Sequence, residues 1–141
     1  MLVDVLLYGS GAAVIHFLLI GILYSNPLVS RMYLAEENKN RALRVWKNKK
    51  HYMLLMFTGS PIEAWLLSLG YLLLRSAFPR SGSLITAVVC SLVLGFIRIY
   101  PRAFDKWIQT TYPVRLIVVE SVNGMIGSFV IILSMRLLTT L

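Results

Sequence analysis

Charge is scarce in this 141-residue chain: Asp, Glu, Lys and Arg together make up 14% of it, and only six residues are acidic. Soluble domains carry about 25% charged residues. Hydrophobic residues reach 57%, more apolar surface than one small core can hide. A soluble single-core protein is excluded on these terms, and lipid is expected to take up the excess. Cysteine is limited to Cys90, so no internal disulfide forms and no Cys/His metal spacing exists. A glycine-rich phosphate loop, a nucleophile elbow and a His-rich haem site are all missing, so no metal and no cofactor is expected. No Asn-x-Ser/Thr sequon and no lipidation motif occurs. The first apolar run lacks a basic leader and a cleavage site, and reads as a retained helix.

What the chain has instead is long apolar runs. A bilayer span needs roughly 20 mostly apolar residues. Four candidates follow: residues 5–24, 52–74, 84–100 and 114–135. The third is the weakest, because it reaches bilayer length only by including Arg98 and Tyr100. The expected fold is all-α, an integral membrane four-helix bundle forming a single domain over residues 1–141.

The connections are basic. Residues 25–51 hold Arg31, Lys39, Arg41, Arg44, Lys47, Lys49 and Lys50. Leu28, Met32, Ala35, Leu43 and Trp46 recur there at near-helical spacing, so part of this loop either lies in the interface as an amphipathic helix or is a flexible basic loop. Residues 76–83 and 100–113 read as turns. Arg98, Arg102, Lys106 and Arg115 flank the second of these, whereas Arg75, Arg80 and Arg136 mark the other side. The Lys/Arg excess places loops one and three in the cytoplasm and both termini opposite. The net charge of +8 thus fits anionic headgroups. With only Tyr33 and Trp46 interleaved, the basic loop is no stacking platform for nucleic acid.

Helices in lipid associate through small residues that let backbones approach. Such residues repeat as Ser60, Ala64 and Ser68; as Ala87, Ser91 and Gly95; and as Gly124 and Ser128 with Gly127 beside them. Gly9 and Ala13 serve the first span. The stripes predict a compact bundle, or association with a second copy.

Ionisable residues fall beside these stripes. A charge at mid-bilayer costs at least about 2.5–3.5 kcal/mol, which makes each one a functional candidate. Counted from the span ends, Arg98 and Glu120 lie at similar depth and could pair; in the functional reading Arg98 binds an anionic group and Glu120 moves a proton. The alternatives are an ion pair that fixes helix register, or an Arg98 that snorkels to the headgroups. Glu63 lies near the midplane with no cation at its depth except His16. Unpaired, it would be neutral, fit either as a general acid or as a donor to the carbonyl freed by Pro61. His16 either is simply hydrogen-bonded within the bundle or pairs with Glu63 as a relay, and Asn123 is expected to bond across the bundle. The candidate catalytic residues are thus Glu63, Glu120 and His16, and the candidate ligand-binding residues are Arg98 and Asn123.

The segment from Leu23 to Leu28 resembles the Trp-Tyr-Ser-Pro-Leu-type segment of a small four-helix membrane family, domain of unknown function 1761. The stretch from Leu94 to Phe96, followed by Pro113 to Gly124, is similar in layout to that family's third and fourth spans. Leu23 stands where the family has Trp, and Glu120 where an Asn is expected. The resemblance implies four spans and no established activity. Three functions remain open at this point. One is a polar intramembrane pocket that binds or transforms a lipid-like small molecule. Another is a non-catalytic subunit or assembly factor of a larger membrane complex. The third is an oligomeric small transporter.

Overall fold

The computed structural model describes residues 2–37, 39–40, 43, 48–79 and 82–140. These residues form five helices: α1 (Leu2–Ser25), α2 (Pro27–Glu37), α3 (Lys49–Arg75), α4 (Leu84–Gln109) and α5 (Val114–Thr140). Four of them, all but α2, are long and apolar enough to cross a membrane. The all-helical reading and the four long elements therefore stand.

Local chemistry sets the boundaries. At the break between α1 and α2, the Asn26 side chain accepts from the Leu28 N–H at 2.9 Å. Proline at the first position of α2 has no N–H to leave unpaired there. Asn48 caps α3, accepting from the His51 N–H at 3.2 Å. Ser83 caps α4, accepting from the Thr86 N–H at 3.1 Å. Each cap satisfies a donor that the first helical turn leaves free.

One expectation needs correction. Residues 100–113 are not one turn: α4 continues through Pro101 to Gln109, and only 110–113 are non-helical. Arg98 therefore lies well inside its helix. Pro101 deletes one backbone bond without ending the helix. The basic connection contains a helix, α2, over Pro27–Glu37. Leu28 is 71% exposed and Ala35 is exposed, while Val29, Met32, Tyr33 and Glu36 are half-buried. Leu43 lies beyond α2, and Trp46, Arg41, Arg44 and Lys47 fall outside the described residues.

The core fills the half of the bundle that holds the termini. Val5, Tyr71, Leu72, Ala87, Cys90, Ile132 and Met135 form one cluster; Ala12, Ala13, Ala64, Leu67 and Ile131 form another. The small-residue stripes face inward as expected: Ala64, Ser68, Ala87, Ser91 and Ser128 are all fully buried. Two glycines make the closest approaches. A Cβ on Gly95 would stand 2.7 Å from Met125 Sδ, and one on Gly127 would stand 2.6 Å from His16 Nε2. Either substituent needs its neighbour to move.

The other half is looser. Residues 50–59 of α3 are exposed throughout, and the change in packing falls at Pro61. On the tight side of this point α3 and α4 meet where Leu94 closes on Gly70, 3.2 Å from a Cβ placed there.

Candidate functional site

Two polar clusters are each built round one carboxylate, one just past Pro61 at the boundary between the halves and one in the looser half. In the first, Glu63 on α3 and Arg98 on α4 form an ion pair across the seam between those helices. Their side chains remain 32% and 29% exposed, respectively. Arg98 Nη1 also donates to the Gly124 carbonyl at 3.2 Å and to Ser128 Oγ at 3.0 Å, both on α5. The guanidinium thereby ties three long helices at one level. The fourth joins through His16 on α1, whose Nδ1 lies 3.2 Å from Ser60 Oγ, one turn before Glu63.

In the second cluster, Glu120 on α5 collects donors from three elements. Lys106 Nζ on α4 stands 2.5 Å from Oε2. Tyr33 on α2 donates its hydroxyl to Oε1 at 3.0 Å. Tyr112, in the turn between α4 and α5, donates to the same oxygen, and Lys106 also sits 4.2 Å from the centre of its ring. Asn40 reinforces this end through Nδ2, which donates to the Thr111 carbonyl at 2.5 Å.

The expected pairings are thus exchanged. Arg98 meets Glu63 rather than Glu120, and Glu120 meets Lys106. The premise for a neutral Glu63, the absence of a cation at its depth, does not hold. His16 approaches Ser60 rather than Glu63 and is buried, at 5% exposure, against Gly127. Asn123 on α5 lies beside the Tyr24 side chain of α1, and its buried Nδ2 has no close hydrogen-bond partner. Sequence reasoning missed Lys106, Tyr33, Tyr112, Ser60 and Ser128 as partners. Lys106 was legible in principle, since it lies two turns beyond Arg98 on α4, roughly 12 Å along the axis.

The tyrosines of the second cluster are held protonated. Burial pushes the Tyr33 hydroxyl well above the ordinary tyrosine range, and the Glu120 carboxylate pushes it further. Tyr112 is raised too, first by burial and then by the hydrogen bond it gives to Glu120. A hydroxyl that donates to a carboxylate resists losing its proton, because two anions would then face each other.

Chemically, the first cluster offers an anion and a cation at an open seam, beside the hydrogen bond between Ser60 and His16. The second is closed on itself. Among the described residues, no group of three His, Cys, Asp or Glu side chains could hold a metal ion. No family model, no curated protein and no solved structure matches this chain.

Proposed function

We propose that this is a multi-pass membrane protein whose Glu63–Arg98 seam receives the polar end of a lipid-like small molecule. In this reading α1, α3, α4 and α5 cross the bilayer. The 26–48 connection and the 110–113 turn face the cytoplasm, and both termini face the opposite side, following the Lys/Arg excess. The observation that carries the site is the placement of the pair. It bridges α3 and α4 two residues past Pro61, beside the exposed 50–59 stretch of α3, so an amphipathic molecule can enter sideways from lipid. Arg98 would meet an anionic group of the ligand and Glu63 a donor, while the exposed side of residues 50–59 takes the apolar part. Transformation of that ligand by acid/base chemistry would fall to Glu63 and His16.

The test is mass spectrometry of small molecules retained by the full chain in lipid nanodiscs. Wild type is expected to retain a species that Glu63→Gln and Arg98→Gln lose, and identical retention by all three would overturn the site. A Thr111→Cys substitution in a Cys90→Ser background should react with an impermeant thiol reagent from the cytoplasmic side. Reaction from the opposite side reverses the orientation.

One observation favours a second reading, a subunit of a larger membrane complex. Met53, Leu54, Leu55, Met56 and Phe57 are all more than 40% exposed on a helix segment with little packing of its own. Gentle extraction followed by native mass spectrometry distinguishes the two, since the subunit reading requires a stoichiometric protein partner.

A further inference from the structure

A crevice lies at the outer edge of the looser half. We propose that the crevice between α2 and the first turn of α5 binds the phosphate headgroup of an anionic phospholipid. The crevice encloses about 210 Å³ and is lined by Arg31, Met32, Ala35, Glu36, Arg115 and Leu116. Arg31 stands on the α2 side and Arg115 on the α5 side. Among the described residues, neither guanidinium has a hydrogen bond or ion pair. Lys106, the nearby cation of the Glu120 cluster, is by contrast already neutralised. Glu36 supplies one countercharge, so the lining keeps an excess of one positive charge, the complement of a single phosphodiester.

Size and shape select a lipid over a free ion. A volume of about 210 Å³ falls below the roughly 300–1,000 Å³ of sites that enclose a whole small molecule. It suits a headgroup whose remainder lies elsewhere. That remainder has a track. Val118, Val122 and Ile126 follow Arg115 at three, seven and eleven residues, on the same face of α5. They are 56%, 53% and 36% exposed, respectively. The stripe runs from the crevice toward the middle of the bundle, as an acyl chain would. The crevice also exists before the lipid arrives, because the hydroxyl of Tyr33 fastens α2 to Glu120. Basic pockets between helices on the cytoplasmic side are a general means of holding anionic headgroups. The inference rests on the membrane placement proposed above, but on none of the seam residues.

The experiment is native mass spectrometry of the full chain released from mixed micelles that contain phosphatidylglycerol or phosphatidylcholine. Phosphatidylglycerol is expected to be retained preferentially. The Arg31→Gln/Arg115→Gln double variant should lower that retention about thirtyfold, the scale of two basic residues at an anionic surface. Arg136→Gln, at the opposite end of α5, should leave it unchanged. Val118→Ser/Val122→Ser should weaken it, whereas inorganic phosphate at millimolar concentration should not compete. If the double Gln variant cannot be extracted, Arg31→Lys/Arg115→Lys serves in its place, with the lipid preference kept at reduced retention. Equal retention of the two lipids, or no loss in the arginine variants, overturns the site. Displacement by inorganic phosphate reassigns the crevice to a soluble phosphate and overturns the lipid. Release of the chain from native membranes by alkaline carbonate overturns the membrane placement itself, a failure separate from loss of lipid selectivity.

Discussion

Glu63 and Glu120 answer the same problem, an acid on an otherwise apolar helix, in opposite ways. Glu120 is surrounded: an ammonium and two hydroxyls from α4, α2 and the 110–113 turn converge on it. Glu63 has one ionic partner at an open seam. A carboxylate with several charge-assisted bonds locks a shape, because removing it strands every donor at once. A carboxylate with one partner leaves lone pairs for something else. The contrast separates a fastening from a site, although the two residues look alike in sequence.

The sharpest way to break this comparison is Glu120→Ala. It leaves Lys106 unpaired and two half-buried hydroxyls without an acceptor, and should destabilise the protein by about 2–4 kcal/mol, read as a fall in Tm in detergent. Glu63→Gln should cost less, about 1 kcal/mol, while abolishing retention of the seam ligand. If Glu63→Gln proved the more destabilising of the two, the assignment of roles would be reversed. Tyr33→Phe removes one of the bonds to Glu120, for about 1 kcal/mol. Its distinctive effect should be faster hydrogen exchange over residues 27–37, with the ends of α5 unaffected. The smallest effect is on alkaline stability. Tyr33 and Tyr112 titrate above the ordinary tyrosine pKa of about 10 in the folded chain. The unfolded chain loses these protons first, so their contribution is complete below about pH 10 and declines as pH rises beyond it. Melting curves between pH 9 and 11 should show the decline in wild type, and less of it in the Tyr33→Phe/Tyr112→Phe variant.

The four long helices were legible because apolar length is what a bilayer-scale helix needs, and the sequence carries it without ambiguity. The packing faces were legible for a related reason. Where apolar side chains cannot distinguish a neighbour from lipid, small residues mark the contacts, and Ala64, Ser68, Ala87, Ser91 and Ser128 are indeed buried. The ionic pairing was not legible, and one misplaced boundary accounts for it. The depth of Arg98 was counted from an apparent end near Tyr100, where Pro101, Arg102, Asp105 and Lys106 interrupt the apolar run. Apolarity ends there but the helix does not, since α4 reaches Gln109. With the longer helix, Arg98 moves inward to meet Glu63 and Ser128, and Lys106 arrives at the level of Glu120. The role of Tyr33 could not be read either, because it depends on how α2 folds back after Asn26 and Pro27.

The Glu63–Arg98 pair also bears on how the protein is made. In the bilayer proposed for this chain, a translocon that releases α3 alone must expose a carboxylate to hydrocarbon, and α4 alone a guanidinium. Either charge carries a penalty of at least about 2.5–3.5 kcal/mol at the helix centre. The connection between the two helices, residues 76–83, is short, so both can be held at the exit site together. Partitioned as one hairpin, they enter with their charges already cancelled. Lengthening that connection should therefore lower the yield of correctly inserted protein even where the finished fold could accommodate the extra residues.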